Sequence, residues 1–256
     1  MKIKYILFSV IFSGISCSET QNVDKQDHVA RVKETDLVSD SLQNNQHEIL
    51  PKDTCELEKR LIASGLIDIQ KIIPDILIDL RYSSVNNFMR TDVYGDLEKV
   101  YLQPEVADKL KMVQDYLKEK DSSLTLLVFD GVRPRSVQQI MWDTVDIPLY
   151  RRGKFVSNPK NGSLHNYGAA VDISIAKITG KELDMGTPYD DTSALAYPER
   201  EAYFLKTGEL TNEQYQNRLL LREVMRKGGF WNIQTEWWHF NAMNREQAKG
   251  KYVIIE

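Results

Sequence analysis

Histidine and cysteine are scarce in this chain of 256 residues, which has four of the first and two of the second. Cys17 and Cys55 stand in no spacing that would bind a metal, and two cysteines cannot build the disulfide framework of a small secreted scaffold. Charge of one sign is lacking too: the net charge of −4 points neither to nucleic acid nor to an acidic polymer as partner. The apolar run from Tyr5 to Phe12 is too short to span a bilayer, which takes about 20 residues. After residue 51 there is no internal repeat and no low-complexity break, so one domain is the simplest reading. With 42 % apolar residues and 27 % charged ones, the chain can build a substantial core under a solvated surface of mixed sign.

The N-terminus has the pattern of an export signal. Lys2 and Lys4 precede the short apolar run, and small residues then lead into Ser16-Cys17. This resembles the lipobox of bacterial lipoproteins, in which the cysteine is acylated, with Gly14 where such motifs carry an aliphatic residue. Residues 1–17 are therefore expected to be an export signal with lipidation at Cys17, which would leave Cys55 without a disulfide partner. Residues 18–50 are polar, rich in Gln, Asn, Asp, Glu and Lys, and without sustained period. Such a segment buries too little apolar surface to offset its ordering entropy and reads as a flexible tether, with His28 and His47 solvated.

Residues 51–256 mix helix and strand periods. Glu56 to Ala63 carries Leu57, Leu61 and Ile62 at helical spacing, and Pro104 opens a helix to Lys120 with Val106, Leu110, Val113 and Leu117 on one stripe. Arg135 to Asp143 reads as a helix, and Thr211-Asn-Glu-Gln214 is a capping box opening another that stops near Gly228-Gly229. Strands are expected at Ile76 to Tyr82, Leu124 to Phe129, Ala169 to Ile175 and Trp231 to Phe240. Without regular βαβ alternation this is an α+β pattern: a single mixed domain, a small central antiparallel sheet and flanking helices.

The only two histidines after residue 50 both lie in segments of metal-site character. One segment runs Ser163-Leu-His165-Asn-Tyr-Gly168-Ala-Ala170-Val-Asp172, where the glycine lets the histidine loop fold back over the strand carrying the aspartate. The other is Glu236-Trp-Trp-His239, whose charged pair is costly to bury in an aromatic run unless it has a purpose. A spacing of three does not share one side of a regular strand, so an irregular backbone is expected there. Zinc in a hydrolase usually takes three protein ligands and leaves a fourth position open. His165, Asp172 and His239 would supply the three, and Glu236 is left over as acid/base. A zinc ion so held would polarise a carbonyl and acidify water. The developing oxyanion needs a cation, for which Arg81 and Arg133 are the candidates.

Together these segments resemble the D-alanyl-D-alanine dipeptidases, zinc enzymes of the wider D-Ala-D-Ala metallopeptidase group. The family pattern Ser-x-His-x-x-Gly-x-Ala-x-Asp is matched from Ser163 to Asp172, and Glu-x-Trp-His from Glu236 to His239. Asp79-Leu-Arg81-Tyr82, Asp130-Gly-Val-Arg133-Pro134, Met185-Gly-Thr-Pro-Tyr189-Asp190 and Asn217-Arg218 agree as well, so the likeness covers about residues 65 to 245 in order. The resemblance implies one zinc ion per chain, held by His165, Asp172 and His239, with Glu236 as acid/base. It implies Arg81 as the residue that stabilises the tetrahedral intermediate, and Ser163 and Asp190 as holding the ends of a dipeptide, Asp190 facing the ammonium.

Hydrolysis of free D-Ala-D-Ala in cell-wall peptide metabolism is the expected activity, on the periplasmic side of a bacterial envelope. The membrane enters only through the lipid anchor. A D,D-carboxypeptidase acting on peptidoglycan stem peptides would share the ligands and the base but would have to admit an N-blocked chain. A non-catalytic zinc-stabilised envelope protein is disfavoured by Glu236, because structural sites usually have four protein ligands and no base.

Overall fold

The computed structural model describes residues 54–153 and 155–256. The signal, Cys17 and the tether therefore lie outside the described residues. Among the described residues, seven α-helices and seven strands follow one another in an α+β order. Helix α1 (Glu56–Ala63) is followed by β1 (Ile67–Asp68), β2 (Leu77–Ile78) and β3 (Tyr101–Leu102). Then come α2 (Pro104–Lys120), β4 (Leu124–Asp130), α3 (Arg135–Thr144), α4 (Leu149–Arg152) and β5 (Ala170–Lys177). The order closes with α5 (Glu201–Thr207), α6 (Asn212–Lys227), β6 (Trp231–Asn232), β7 (His239–Asn241) and α7 (Arg245–Lys251).

A five-stranded sheet in the order β2-β4-β5-β7-β6 forms the centre, and β1 and β3 make a separate antiparallel pair. The central sheet is antiparallel as expected except at one edge, where β2 runs parallel to β4. All seven residues of β4 and the first seven of β5 are buried, so helices and loops cover both faces of the sheet there. The stripe Val106, Leu110, Val113 and Leu117 of α2 is fully buried, and α2 packs on β4 and on α6. Thr211 and Gln214 close a reciprocal capping box at the start of α6, as the sequence predicts.

Two expected strands differ in the structure. Ile76 to Tyr82 pairs only at Leu77–Ile78 and then tightens into a 3₁₀ turn at Arg81–Ser83. Trp231 to Phe240 is broken into β6 and β7, with an irregular loop between them. That loop carries Glu236, so the irregular backbone expected from its spacing to His239 is present. Helices α4, α5 and α7, each a turn or two long, have no counterpart among the expected elements, although α7 opens on a capping box of Asn244 and Gln247 that the sequence carries.

Register sets the site. Asp172 of β5 lies opposite Asp130 of β4 on one side and opposite His239 of β7 on the other. A bulge between Val128 and Asp130 shifts the β4 register as the strand runs out into the Gly131-Val-Arg133-Pro134 turn. His165 arrives from a 3₁₀ turn (His165–Tyr167) that Gly168 ends with a φ of +64°. A side chain at Gly168 would strain that turn and press on Leu66, 2.9 Å from the position its Cβ would take.

Candidate metal centre and its cavity

Three ligand atoms converge where these elements meet. His165 Nε2 lies 3.1 Å from His239 Nδ1, and Asp172 Oδ1 lies 3.0 Å from His239 Nδ1 and 3.3 Å from His165 Nε2. Each ligand has its other atom occupied. His165 Nδ1 donates to the Gly131 carbonyl at 2.7 Å, and His239 Nε2 donates to Asn241 Oδ1 at 2.9 Å. Asp172 Oδ2 accepts from the Tyr189 hydroxyl at 2.9 Å and lies 3.5 Å from Arg133 Nη2.

These outer bonds fix both histidine tautomers and turn two bare nitrogen lone pairs and a carboxylate oxygen toward one point. Unshared pairs that close repel one another unless a cation or a proton sits among them. Ligand atoms on a tetrahedral zinc, at about 2.0–2.1 Å from the ion, would be about 3.3 Å apart, close to the separations found here. The donor set therefore fits a metal of this kind, and these three residues form the group of ligand atoms within 4.8 Å of one another among the described residues.

Electrostatics around the group follow from burial and from these contacts. Burial opposes ionisation of Asp172, but the two histidines outweigh it and hold the carboxyl well below the usual carboxylate range. Burial also opposes charging of His239, yet its bond to Asp172 and that residue's charge push its pKa up to about 8. A proton and a metal would thus compete for the same nitrogen. Glu236 stands just outside the group, with Oε2 4.0 Å from His239 Nδ1. Burial raises its pKa above the ordinary glutamate range.

A cavity of about 320 Å³ opens over the three ligands, with Glu236, Asp190, Ser163 and Arg133 in its wall. Asp190 sits at a φ of +62°, uncommon for a residue with a side chain. Its Oδ1 accepts from the Tyr82 hydroxyl at 3.1 Å, while its buried Oδ2 has no partner. Burial first, and the charge of Asp172 second, push its pKa well above the usual carboxylate range. Such a carboxyl would gain from a cation brought into the cavity.

The structure brings Arg133, not Arg81, to this cavity. Arg133 Nε and Nη2 donate to Asp130 Oδ2 at 2.9 and 2.6 Å, and its guanidinium stacks over the Tyr82 ring at 4.9 Å. Asp130 is itself fixed by the Tyr94 hydroxyl at 2.7 Å and the Gly131 amide at 2.9 Å. Arg81 leaves in another direction, over Phe129, and pairs with Asp79 at 2.8 Å and Glu182 at 3.6 Å. It lines no part of the cavity. The expected strand end is replaced by a 3₁₀ turn that begins at Arg81. Ser163 does reach the wall, but its hydroxyl donates to Gln138 Oε1 at 2.8 Å. Sequence reasoning missed Gln138, Asn241 and Tyr82 as supports. A buried polar side chain in a helix, such as Gln138, gives no periodic signal of what it holds.

The chain is similar to several known proteins. The family model Peptidase M15, described as D-ala-D-ala dipeptidase, matches residues 62–253. The D-alanyl-D-alanine dipeptidase of Escherichia coli (strain K12) is 29% identical over 178 residues, 70% of this chain and 84% of that protein. The protein of the same name from Synechocystis sp. (strain ATCC 27184 / PCC 6803 / Kazusa) is 30% identical over 172 residues, 55% of this chain and 68% of that one. Among solved structures, that of the LdcB LD-carboxypeptidase matches with a TM-score of 0.41 and 20% identity, covering 73% of this chain and 72% of that one.

Proposed function

The chain belongs to the D-Ala-D-Ala dipeptidase family of peptidases, and we propose that it is a zinc enzyme cleaving free D-Ala-D-Ala in cell-wall peptide metabolism. The observation that carries this reading is the convergence of His165 Nε2, Asp172 Oδ1 and His239 Nδ1 beside a partly exposed Glu236. Zinc bound there supplies Lewis-acid polarisation of the scissile carbonyl and acidifies water. Glu236 takes a proton from the attacking water as the new C–O bond forms, and hands it to the amine nitrogen as the C–N bond breaks. Arg133, locked by Asp130 and stacked on Tyr82, offers its positive charge to the oxygen on which negative charge develops. Asp190 takes the substrate ammonium on its unpartnered Oδ2.

That role for Asp190 favours a dipeptidase over a carboxypeptidase, because an N-blocked chain would bury the carboxyl against an uncharged amide. Hydrolysis of D-Ala-D-Ala and N-acetyl-D-Ala-D-Ala by the zinc-loaded protein tests this. Cleavage of the free dipeptide alone is expected, and comparable turnover of the blocked substrate would make it a carboxypeptidase. We also propose a periplasmic location with a lipid anchor at Cys17, supported by the N-terminal sequence pattern. Among the described residues, no helix is long and apolar enough to cross a membrane. Labelling of the intact protein with a fatty-acid probe, lost in Cys17→Ser, is the expected result.

A further inference from the structure

Two arginines line the cavity, and they differ in what neutralises them. Arg133 is paired with the buried Asp130. Arg245, at the start of α7, forms no ion pair with any carboxylate of the described residues. Its Nη2 donates to the carbonyls of Asn161 and Gly162, which pins the guanidinium against the loop leading into Ser163. Its Nη1 and Nε have no acceptor among the described residues.

A carboxyl of the same wall is unmatched as well. Asp190 borders a smaller adjoining pocket, with Phe88, Thr192 and Tyr197, to which Arg245 does not contribute. Its Oδ2 is buried without a partner. The cavity wall therefore carries a carboxyl oxygen without a partner and a guanidinium without a counter-ion, together with the three metal-site residues and Glu236. A zwitterion is the complementary shape of charge.

The residue that might otherwise take a carboxylate is already committed. Gln138 Nε2 donates to the Ser157 carbonyl at 2.7 Å, which fixes the amide so that Oε1 faces Ser163 and Asn166. Ser163 must then give its hydroxyl hydrogen to Gln138, and it shows the cavity only lone pairs. Lone pairs repel a carboxylate, whereas a guanidinium binds one with a charge-assisted hydrogen bond.

We propose that Arg245 takes the C-terminal carboxylate of the dipeptide and so makes the cavity selective for substrates whose carboxylate is free. This rests on the dipeptidase reading and names a specificity-determining residue within it. Its alternative is a purely structural arginine that holds the Asn161–Gly162 loop.

Binding separates the two. In the zinc-loaded full chain carrying Glu236→Gln, calorimetry measures the affinity of D-Ala-D-Ala and of its C-terminal amide. The free dipeptide is expected to bind about 10- to 100-fold more tightly, the range of one charged hydrogen bond. Adding Arg245→Met should bring the two affinities within about 3-fold by weakening the free dipeptide alone, while Arg245→Lys should keep part of the preference. A loss shared equally by both ligands, or a preference that survives Arg245→Met, overturns the proposal. Failure of the free dipeptide to bind the Glu236→Gln protein with zinc in place overturns the dipeptidase reading itself, and the role of Arg245 with it.

Discussion

Glu236 is the acid of the cavity that no neighbour claims. Asp172 is held by Tyr189 and two histidines, and Asp190 by Tyr82, but Glu236 comes no nearer than 4.0 Å to His239 Nδ1 and stays open to the cavity. Replacing Glu236 by Gln removes the proton carrier without touching a ligand atom. Turnover should fall by about 10²–10⁴-fold while the zinc content of the purified protein is unchanged. The two arginines give a second contrast. Arg133→Met should cost about 10²–10³-fold in kcat, and Arg81→Met should leave kcat within about 3-fold, both read on free D-Ala-D-Ala. The grouping of the three candidate ligands was legible in the sequence because histidine is rare here and its two segments have few other reasons to exist. Choosing between the arginines was not. Arg81 and Arg133 each follow an apolar strand, and spacing along the chain does not tell which turn folds its side chain toward the metal row.

The loop from residue 184 to 197, between β5 and α5, carries Asp190 and is held from two sides. Arg218 of α6, fully buried, donates to the Met185 carbonyl at 2.6 Å and to the Leu195 carbonyl at 2.9 Å. It shares Glu201 of α5 with Arg222. On the other side Trp237 Nε1, one residue on from Glu236, donates to Thr187 Oγ1 at 2.8 Å. Arg218→Met leaves the Met185 and Leu195 carbonyls without this donor and Glu201 with Arg222 as its one remaining cation, a loss of about 3–5 kcal/mol in urea unfolding. Where the variant folds, KM for the dipeptide should rise more than kcat falls, because the loop places Asp190 and not the reacting atoms. Elements with a long period were readable from sequence: the stripe of α2, the run of β4 and the capping box of α6 were all in place. The stretch 231–240 was not, since its pairing is confined to two- and three-residue segments whose irregular loop presents Glu236. The parallel edge of β2 was beyond reach too, because two paired residues leave no pattern of direction.

At the scale of the molecule, the metal is expected to act as a ligand of the folded state alone. The three ligands lie on segments 165, 172 and 239, which the unfolded chain does not bring together. Zinc at about 100 times its dissociation constant should add about 2.7 kcal/mol to stability. Chelation should therefore lower Tm, and added zinc should restore it. Acid should act separately, through carboxylates far from the cavity. Burial opposes the ionisation of Glu58, but bonds from Lys99 at 2.6 Å and from Tyr101 at 2.5 Å prevail and lower its pKa. Bonds from Lys251 and Tyr252 lower that of Glu105. A carboxylate whose pKa is lower folded than unfolded stabilises the fold fully above its unfolded value of about 4.3, and the gain is lost as pH falls through the folded value. The Tm of the chelated protein should fall between about pH 5 and pH 3, and Glu58→Gln should blunt that fall.

The row Asp130–Asp172–His239 draws on three strands, β4, β5 and β7, that are joined edge to edge at single-residue register. A slip of one residue at either seam would turn a ligand to the far face of the sheet. Until β7 has closed on β5 in this register the three candidate ligands are not together, so capture of an ion is expected to report that the two strands are correctly seated.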